Sequence, residues 1–86
     1  MRITVANVMN ALLDVFPAVK CEKVIVNLLK GSSVRLTPES EAALEVLEAA
    51  GAEWFTRYTA DGETLACLNQ PNSNVANALA AAFAAK

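Results

Sequence analysis

The sequence predicts one small α+β domain over residues 1–86, with a mainly antiparallel sheet of about three strands packed with three to four helices. Three observations predict this class. Apolar residues recur with a helical period in several segments, the period changes to two within residues 53–69, and an Asp-Gly pair interrupts that stretch as a hairpin turn would. A chain of 86 residues has room for one modest core.

The first segment is predicted to be an amphipathic helix with Thr4 as its N-cap and Pro17 as its stop. Its apolar residues fall on one helical face. They are Val5, Val8, Met9, Leu12, Leu13 and Phe16. The opposite face carries Asn7, Asn10 and Asp14, and we interpret it as exposed to solvent.

Residues 20–30 fit two structures. The spacing of their apolar residues is helical, and Gly31 stands where a glycine would end a helix. The β-branched run from Val24 to Val26 would also suit a buried strand that Gly31-Ser32-Ser33 joins to the next one. We favour the helix, and this choice decides whether the sheet has three strands or four.

Residues 34–36 alternate as a short strand does, and Thr37-Pro38-Glu39 then provides an N-cap, a proline at the first helical position and an acid near the positive end of the dipole. The predicted helix extends to about Ala50, and Gly51 stops it. Its apolar stripe consists of Ala43, Leu44, Val46, Leu47 and Ala50.

The hairpin is predicted to turn at Asp61-Gly62 in a two-residue type I′ turn. That register pairs Tyr58 with Leu65, Thr56 with Cys67 and Phe55 with Leu68. One face would then carry Trp54, Thr56, Tyr58, Leu65 and Cys67, and the other Phe55, Arg57, Thr59, Ala66 and Leu68. Because both faces are apolar, we expect both to be covered.

A final helix is predicted from Val75 to Lys86 with Asn74 as its cap. Val75, Leu79 and Phe83 form a narrow apolar stripe on it. We expect this helix to cover the second face of the sheet. The alternative is an exposed helix that enters a groove on a partner.

Charge and hydropathy point to protein partners. The net charge is −2, which disfavours nucleic acid and anionic membranes, but residues 1–36 hold five bases and two acids while residues 37–86 hold two bases and seven acids. The mean hydropathy of +0.34 is high for so small a chain. Part of the apolar surface is therefore expected to meet another protein or a second copy.

The sequence contains no histidine, which excludes Ser-His and Cys-His pairs and His-ligated zinc. Cys21 and Cys67 are expected to be buried, reduced thiols, and the N-terminal region lacks the pattern of a secretory signal, so we expect a cytoplasmic protein. Lys30-Gly31-Ser32-Ser33 does not have the order of a phosphate-binding loop. No cofactor, metal site or enzymatic activity is predicted.

The predicted partner-binding residues are acids of one helix, namely Glu39, Glu41, Glu45 and Glu48. They either form an ordinary solvated face or dock on a basic protein surface, and the absence of any lysine or arginine from this helix favours looking for function here. Trp54, Arg57 and Tyr58 suggest a platform for stacking nucleic-acid bases, but burial in the core is the preferred interpretation. The element order also resembles that of winged-helix DNA-binding proteins, although an acidic helix before the wing argues against DNA.

The leading hypothesis is a non-enzymatic protein-interaction module, an inhibitor or adaptor that docks the acidic helix face on a larger complex. A phage or plasmid accessory protein that blocks a host complex would fit this description. The alternative is a homo-oligomeric structural or regulatory protein that associates through its excess apolar surface.

Overall fold

The computed structural model describes residues 3–15 and 21–85, and within them it has four helices and a three-stranded antiparallel sheet in an α+β arrangement. The elements in chain order are α1 (Val5–Val15), α2 (Glu22–Leu29), β1 (Val34–Arg35), α3 (Pro38–Ala49), β2 (Trp54–Tyr58), β3 (Thr64–Leu68) and α4 (Ser73–Ala84). The strands lie in the order β1-β3-β2, so β3 is central. The α+β class predicted from the sequence is confirmed.

Helix α2 is at the centre of the core. It packs against α3 and α4 and also contacts β1 and β3, which leaves Ile25, Leu28 and Leu29 with no exposed surface. The helix favoured for residues 20–30 is therefore confirmed over Glu22–Leu29, while Lys20 lies outside the described residues. The sheet of the described residues has three strands. The β-branched run of α2 is tolerated because tertiary packing outweighs the small loss of helix propensity.

Two glycines end helices as predicted. Gly31 has φ of 99° and donates its N–H to the Leu28 carbonyl, while the next N–H, that of Ser32, reaches the Asn27 carbonyl. Gly51 repeats this pattern at the end of α3, with φ of 100°. Both are Schellman motifs, which need a residue that adopts positive φ without strain.

The predicted N-caps of α1 and α3 are also confirmed. The Thr4 hydroxyl accepts the Asn7 N–H at 3.1 Å, and the Thr37 hydroxyl accepts the Ser40 N–H at 3.2 Å. The buried Ser40 hydroxyl accepts the Thr37 N–H at 2.7 Å and lies 2.6 Å from the Arg35 carbonyl oxygen, to which it donates. This capping box therefore ties the start of α3 to β1.

The hairpin register predicted from Asp61-Gly62 is wrong by one residue. Tyr58 pairs with Thr64 rather than with Leu65, and the Thr59 N–H reaches the Glu63 carbonyl at 2.9 Å, so the loop has three residues. A type I′ turn needs positive φ at both central residues, and within the described residues only glycines have it. Gly62, with φ of 87°, instead follows a tight turn closed by its own N–H to the Thr59 carbonyl.

The change of register reverses the faces of β3 relative to β2, because neighbouring side chains on a strand point in opposite directions. The helix side carries Val34, Leu36, Trp54, Thr56, Tyr58, Ala66 and Leu68, and the outer side carries Arg35, Phe55, Arg57, Leu65 and Cys67. The predicted sharing of one face by Trp54, Tyr58, Leu65 and Cys67 is therefore wrong.

The outer side of the sheet is not covered by α4, contrary to our expectation. Helix α4 packs chiefly against α2, where Val75, Ala76 and Leu79 are buried. Its alanines allow close approach to another helix as readily as to a sheet, so composition alone did not distinguish the two.

Two large side chains expected in the core are exposed. Leu13 is 63% exposed although Val8 and Leu12 of the same helix are buried, and Tyr58, the last residue of β2, is 77% exposed. Phe16 and Pro17, predicted to complete α1, lie outside the described residues.

The cap of α4 provides a test of the fold. Asn72 rather than the predicted Asn74 is the N-cap, and its side chain accepts the Val75 N–H at 3.2 Å. Asn72→Ala should lower the free energy of unfolding by about 1 kcal/mol because that N–H loses its partner. The matched variant Asn74→Ala, at an exposed position inside the first turn, should change it by less than about 0.5 kcal/mol. Urea unfolding followed by circular dichroism measures both, and equal losses would contradict the assigned cap.

Candidate functional site

The acidic residues of α3 lie where the sequence predicted, along the side of the helix away from the core. Glu39, Glu41, Glu45 and Glu48 are all exposed, while Leu44 and Leu47 of the same helix are buried. The capping box at Thr37 and the glycine stop after Ala50 fix the length and rotation of α3. They therefore fix the direction in which the carboxylates project.

The four acids do not have equal surroundings. Glu41 and Glu45, one turn apart, make no side-chain hydrogen bond or ion pair with any residue in the described ranges. Glu48 is different, because its carboxylate accepts a hydrogen bond from the Trp54 indole N–H. Glu48 was predicted to be either solvated or in contact with a partner, but its carboxylate joins the end of α3 to Trp54, the first residue of β2.

The basic residues nearest in the sheet are directed elsewhere. The Arg35 guanidinium forms a two-point contact with Glu63, with nitrogen–oxygen distances of 2.7 and 3.2 Å, and Arg57 lies on the outer side of the sheet. Glu41 and Glu45 therefore form a small pair of like charges on a helix without internal compensation. Such pairs cost isolated helices a few tenths of a kcal/mol.

Both cysteines of the chain are buried thiols, as predicted. Burial raises the pKa of the Cys21 thiol, and the negative charges of Glu39 and Glu22 act in the same direction. The Cys67 sulfur lies 2.9 Å from the Ser33 hydroxyl oxygen on the outer side of the sheet. A thiol with a raised pKa is a poor nucleophile at neutral pH, which agrees with a structural role for Cys21.

A groove of about 510 Å³ lies between the start of α4 and the connection from α3 to β2. Its lining is mostly polar and consists of Ile3, Gly51, Ala52, Glu53, Asn69, Gln70, Pro71 and Asn72. Glu53 is the one titratable side chain in this lining, and no group of three potential metal ligands occurs within residues 3–15 and 21–85. The described residues of the lining therefore supply no pair of titratable groups for acid and base chemistry.

The aromatic residues of β2 do not form one platform. Trp54 is half-buried against the core and Tyr58 is exposed on the same side of the sheet, whereas Arg57 lies on the opposite side with Phe55. The core position predicted for Trp54 is thus partly realised, and that for Tyr58 is not. Phe55, 44% exposed beside Leu65, was missed as a surface feature because the predicted register paired it with Leu68.

Comparison with protein-family models, with curated proteins and with solved structures finds no match for this chain. Within the part of the chain that the structure describes, no helix has the length and apolar character needed to cross a bilayer.

The link between Glu48 and Trp54 distinguishes the acids experimentally. Glu48→Ala should lower the free energy of unfolding by about 1 kcal/mol and shift the emission of the single tryptophan, because the indole N–H loses its acceptor. Glu45→Ala, the matched variant one turn earlier, should leave the emission unchanged and the stability within about 0.5 kcal/mol. Tryptophan fluorescence during urea unfolding reports both quantities. The same emission shift in both variants would disprove a specific link.

Proposed function

We propose that the protein acts in the cytoplasm as a non-enzymatic interaction module, an inhibitor or adaptor that docks the acidic side of α3 on a basic surface of a larger protein complex. The observation that carries the proposal is the pair Glu41 and Glu45. Both are exposed, and neither has a cationic partner among the described residues. By contrast, Glu63 forms a salt bridge with Arg35, and Glu48 accepts a hydrogen bond from the Trp54 indole.

The mechanism of such docking follows from the placement of these charges. Helix α3 is held at both ends, by the capping box and by the glycine stop, so the backbone positions that carry its glutamates are fixed before a partner arrives. A fixed backbone beneath the charges reduces the conformational entropy that is lost on binding. Complementary charge raises the rate of association and selects among partners, and both effects weaken with added salt.

Charge reversal at Glu41 and Glu45 tests this proposal. Affinity capture from cells of the native host, followed by mass spectrometry, should yield a partner that is lost with Glu41→Lys/Glu45→Lys. The loss is expected to be at least about tenfold, since each reversal replaces an attraction with a repulsion. Glu48 is left intact in this design because its reversal would disturb Trp54.

The matched control for a single reversal is Glu53→Lys, compared with Glu45→Lys. Both change the net charge equally, and Glu53 is exposed but outside α3. The fold of each variant is checked by circular dichroism. If well-folded Glu45→Lys and Glu41→Lys/Glu45→Lys capture the partner as well as the wild type does, the acidic side of α3 is not the binding surface. If Glu53→Lys loses the partner as completely as Glu45→Lys does, the effect of charge is nonspecific.

A second candidate is a homo-oligomeric structural or regulatory protein. It is supported by the large apolar side chains that the fold leaves at the surface, Leu13, Phe55 and Tyr58. Exposed apolar groups of this size are typical of association surfaces. Phe55 and Tyr58 both lie on β2, an edge strand of the sheet, although their side chains are on opposite faces.

Light scattering on the purified chain tests the second candidate. A homo-oligomer should have a mass that is a multiple of the 9.1 kDa monomer and should dissociate on dilution. A mass equal to the monomer at high micromolar concentration would rule this candidate out.

A further inference from the structure

Strand β2 is an edge of the sheet with unused backbone groups. The Asn69 N–H donates to the Glu53 carbonyl, and the Thr59 N–H donates to the Glu63 carbonyl. Because backbone hydrogen bonding alternates from residue to residue in an antiparallel ladder, the N–H and C=O groups of Phe55 and Arg57 also point toward β3. The N–H and C=O groups of Trp54, Thr56 and Tyr58 consequently point away from the sheet. Among the described residues no other strand pairs with this edge.

Apart from the single charge of Arg57, the edge lacks the features that usually prevent further pairing. It has five residues without proline, and each of them pairs in unbroken register with β3, so no bulge bends it away. Four of the five, Phe55 to Tyr58, are exposed, so the helices leave this part of the strand clear. The other edge, β1, is only two residues long.

We propose that a second copy of this chain pairs with this edge, β2 against β2 in antiparallel orientation, about a two-fold axis at Thr56. This inference rests on the second candidate function, the homo-oligomer, and identifies the β2 edge as the surface through which the copies associate. The axis places Thr56 opposite Thr56 of the second copy and brings Trp54 opposite Tyr58. All three outward-pointing residues of each copy then exchange backbone hydrogen bonds, and the two sheets join into one of six strands.

The side chains of β2 are complementary to themselves in this register. Phe55 of one copy lies opposite Arg57 of the other, which suits a cation–π contact, and Trp54 lies opposite Tyr58, which suits an aromatic pair. The single charge of the strand therefore faces an aromatic ring. No like charges oppose each other within the paired strands.

Other antiparallel registers satisfy fewer groups. Centring the axis on Arg57 would place the two guanidinium groups directly opposite each other, where like charges are destabilising. Centring it on Phe55 or on Arg57 also leaves one outward-pointing residue of each copy unpaired. The Thr56-centred register is the one that uses the whole edge, and this is why the strand fits a second copy of itself.

A proline at the axis tests the pairing. Thr56→Pro removes an N–H that β3 does not use, so the hairpin keeps its own ladder while the dimer loses a hydrogen bond from each copy at its centre. Sedimentation equilibrium should show wild type and the matched Thr56→Val variant as dimers, with the dissociation constant of Thr56→Pro raised at least about tenfold. Circular dichroism confirms that each variant is folded.

Cross-linking tests the register without depending on the proline variant. Residues opposite each other in a hydrogen-bonded pair have Cα atoms about 5.5 Å apart, within disulfide reach, so Thr56→Cys should cross-link to its own copy when oxidised glutathione accepts the electrons and protons of the two thiols. Tyr58→Cys, the matched exposed position, lies opposite Trp54 of the other copy and should not cross-link. Wild type should not either, because Cys21 and Cys67 are buried.

The results that would overturn the inference are distinct. If the folded Thr56→Pro variant forms a dimer as stable as that of the wild type, β2 is not the dimer interface. The same conclusion follows if Tyr58→Cys cross-links as well as Thr56→Cys. Either result leaves the homo-oligomer hypothesis intact. A wild-type protein that is monomeric at high micromolar concentration would disprove both the β2 interface and the homo-oligomer hypothesis.

Discussion

The arrangement of this protein depends on the register of one hairpin. The three-residue loop, closed between Thr59 and Gly62, determines that Ala66 and Leu68 face the helices and that Leu65 and Cys67 face outward. A shift of one residue would exchange these sets and would remove the small Ala66 from beneath the helices. The same register places Phe55 on the side of the sheet opposite to Ala66 and Leu68.

Local sequence signals predicted the fold where a local interaction decides the structure. The N-cap at Thr37 and the stop at Gly51 are satisfied by backbone groups a few residues away, so they could be identified from sequence alone. The register of the hairpin and the docking of α4 on α2 could not, because each depends on a choice between conformations of similar local energy that distant packing resolves. The displaced cap, Asn72 for Asn74, is a smaller error of the same kind at a helix boundary.

The sequence predicted where the candidate site lies, but not that Glu48 has a different role from the other acids. Exposure of the acidic side of α3 follows from helical periodicity, which also buries Leu44 and Leu47. The separate role of Glu48 depends on the approach of Trp54 after the turn at Gly51, and spacing within the helix carries no information about that approach. One row of similar residues thus combines a contact within the fold with a pair of carboxylates that has no partner among residues 3–15 and 21–85.

The packing of α4 on α2 has a consequence for folding during synthesis. Helix α2 lies near the start of the chain, yet its apolar surface is covered in part by a helix that emerges from the ribosome more than forty residues later. The central strand β3 also follows both α2 and β1, so neither the helices nor the sheet can close early. Ile25 and its apolar neighbours therefore remain partly exposed to solvent in the nascent chain until α4 has been synthesised. During that interval the chain is most prone to aggregate or to bind a chaperone.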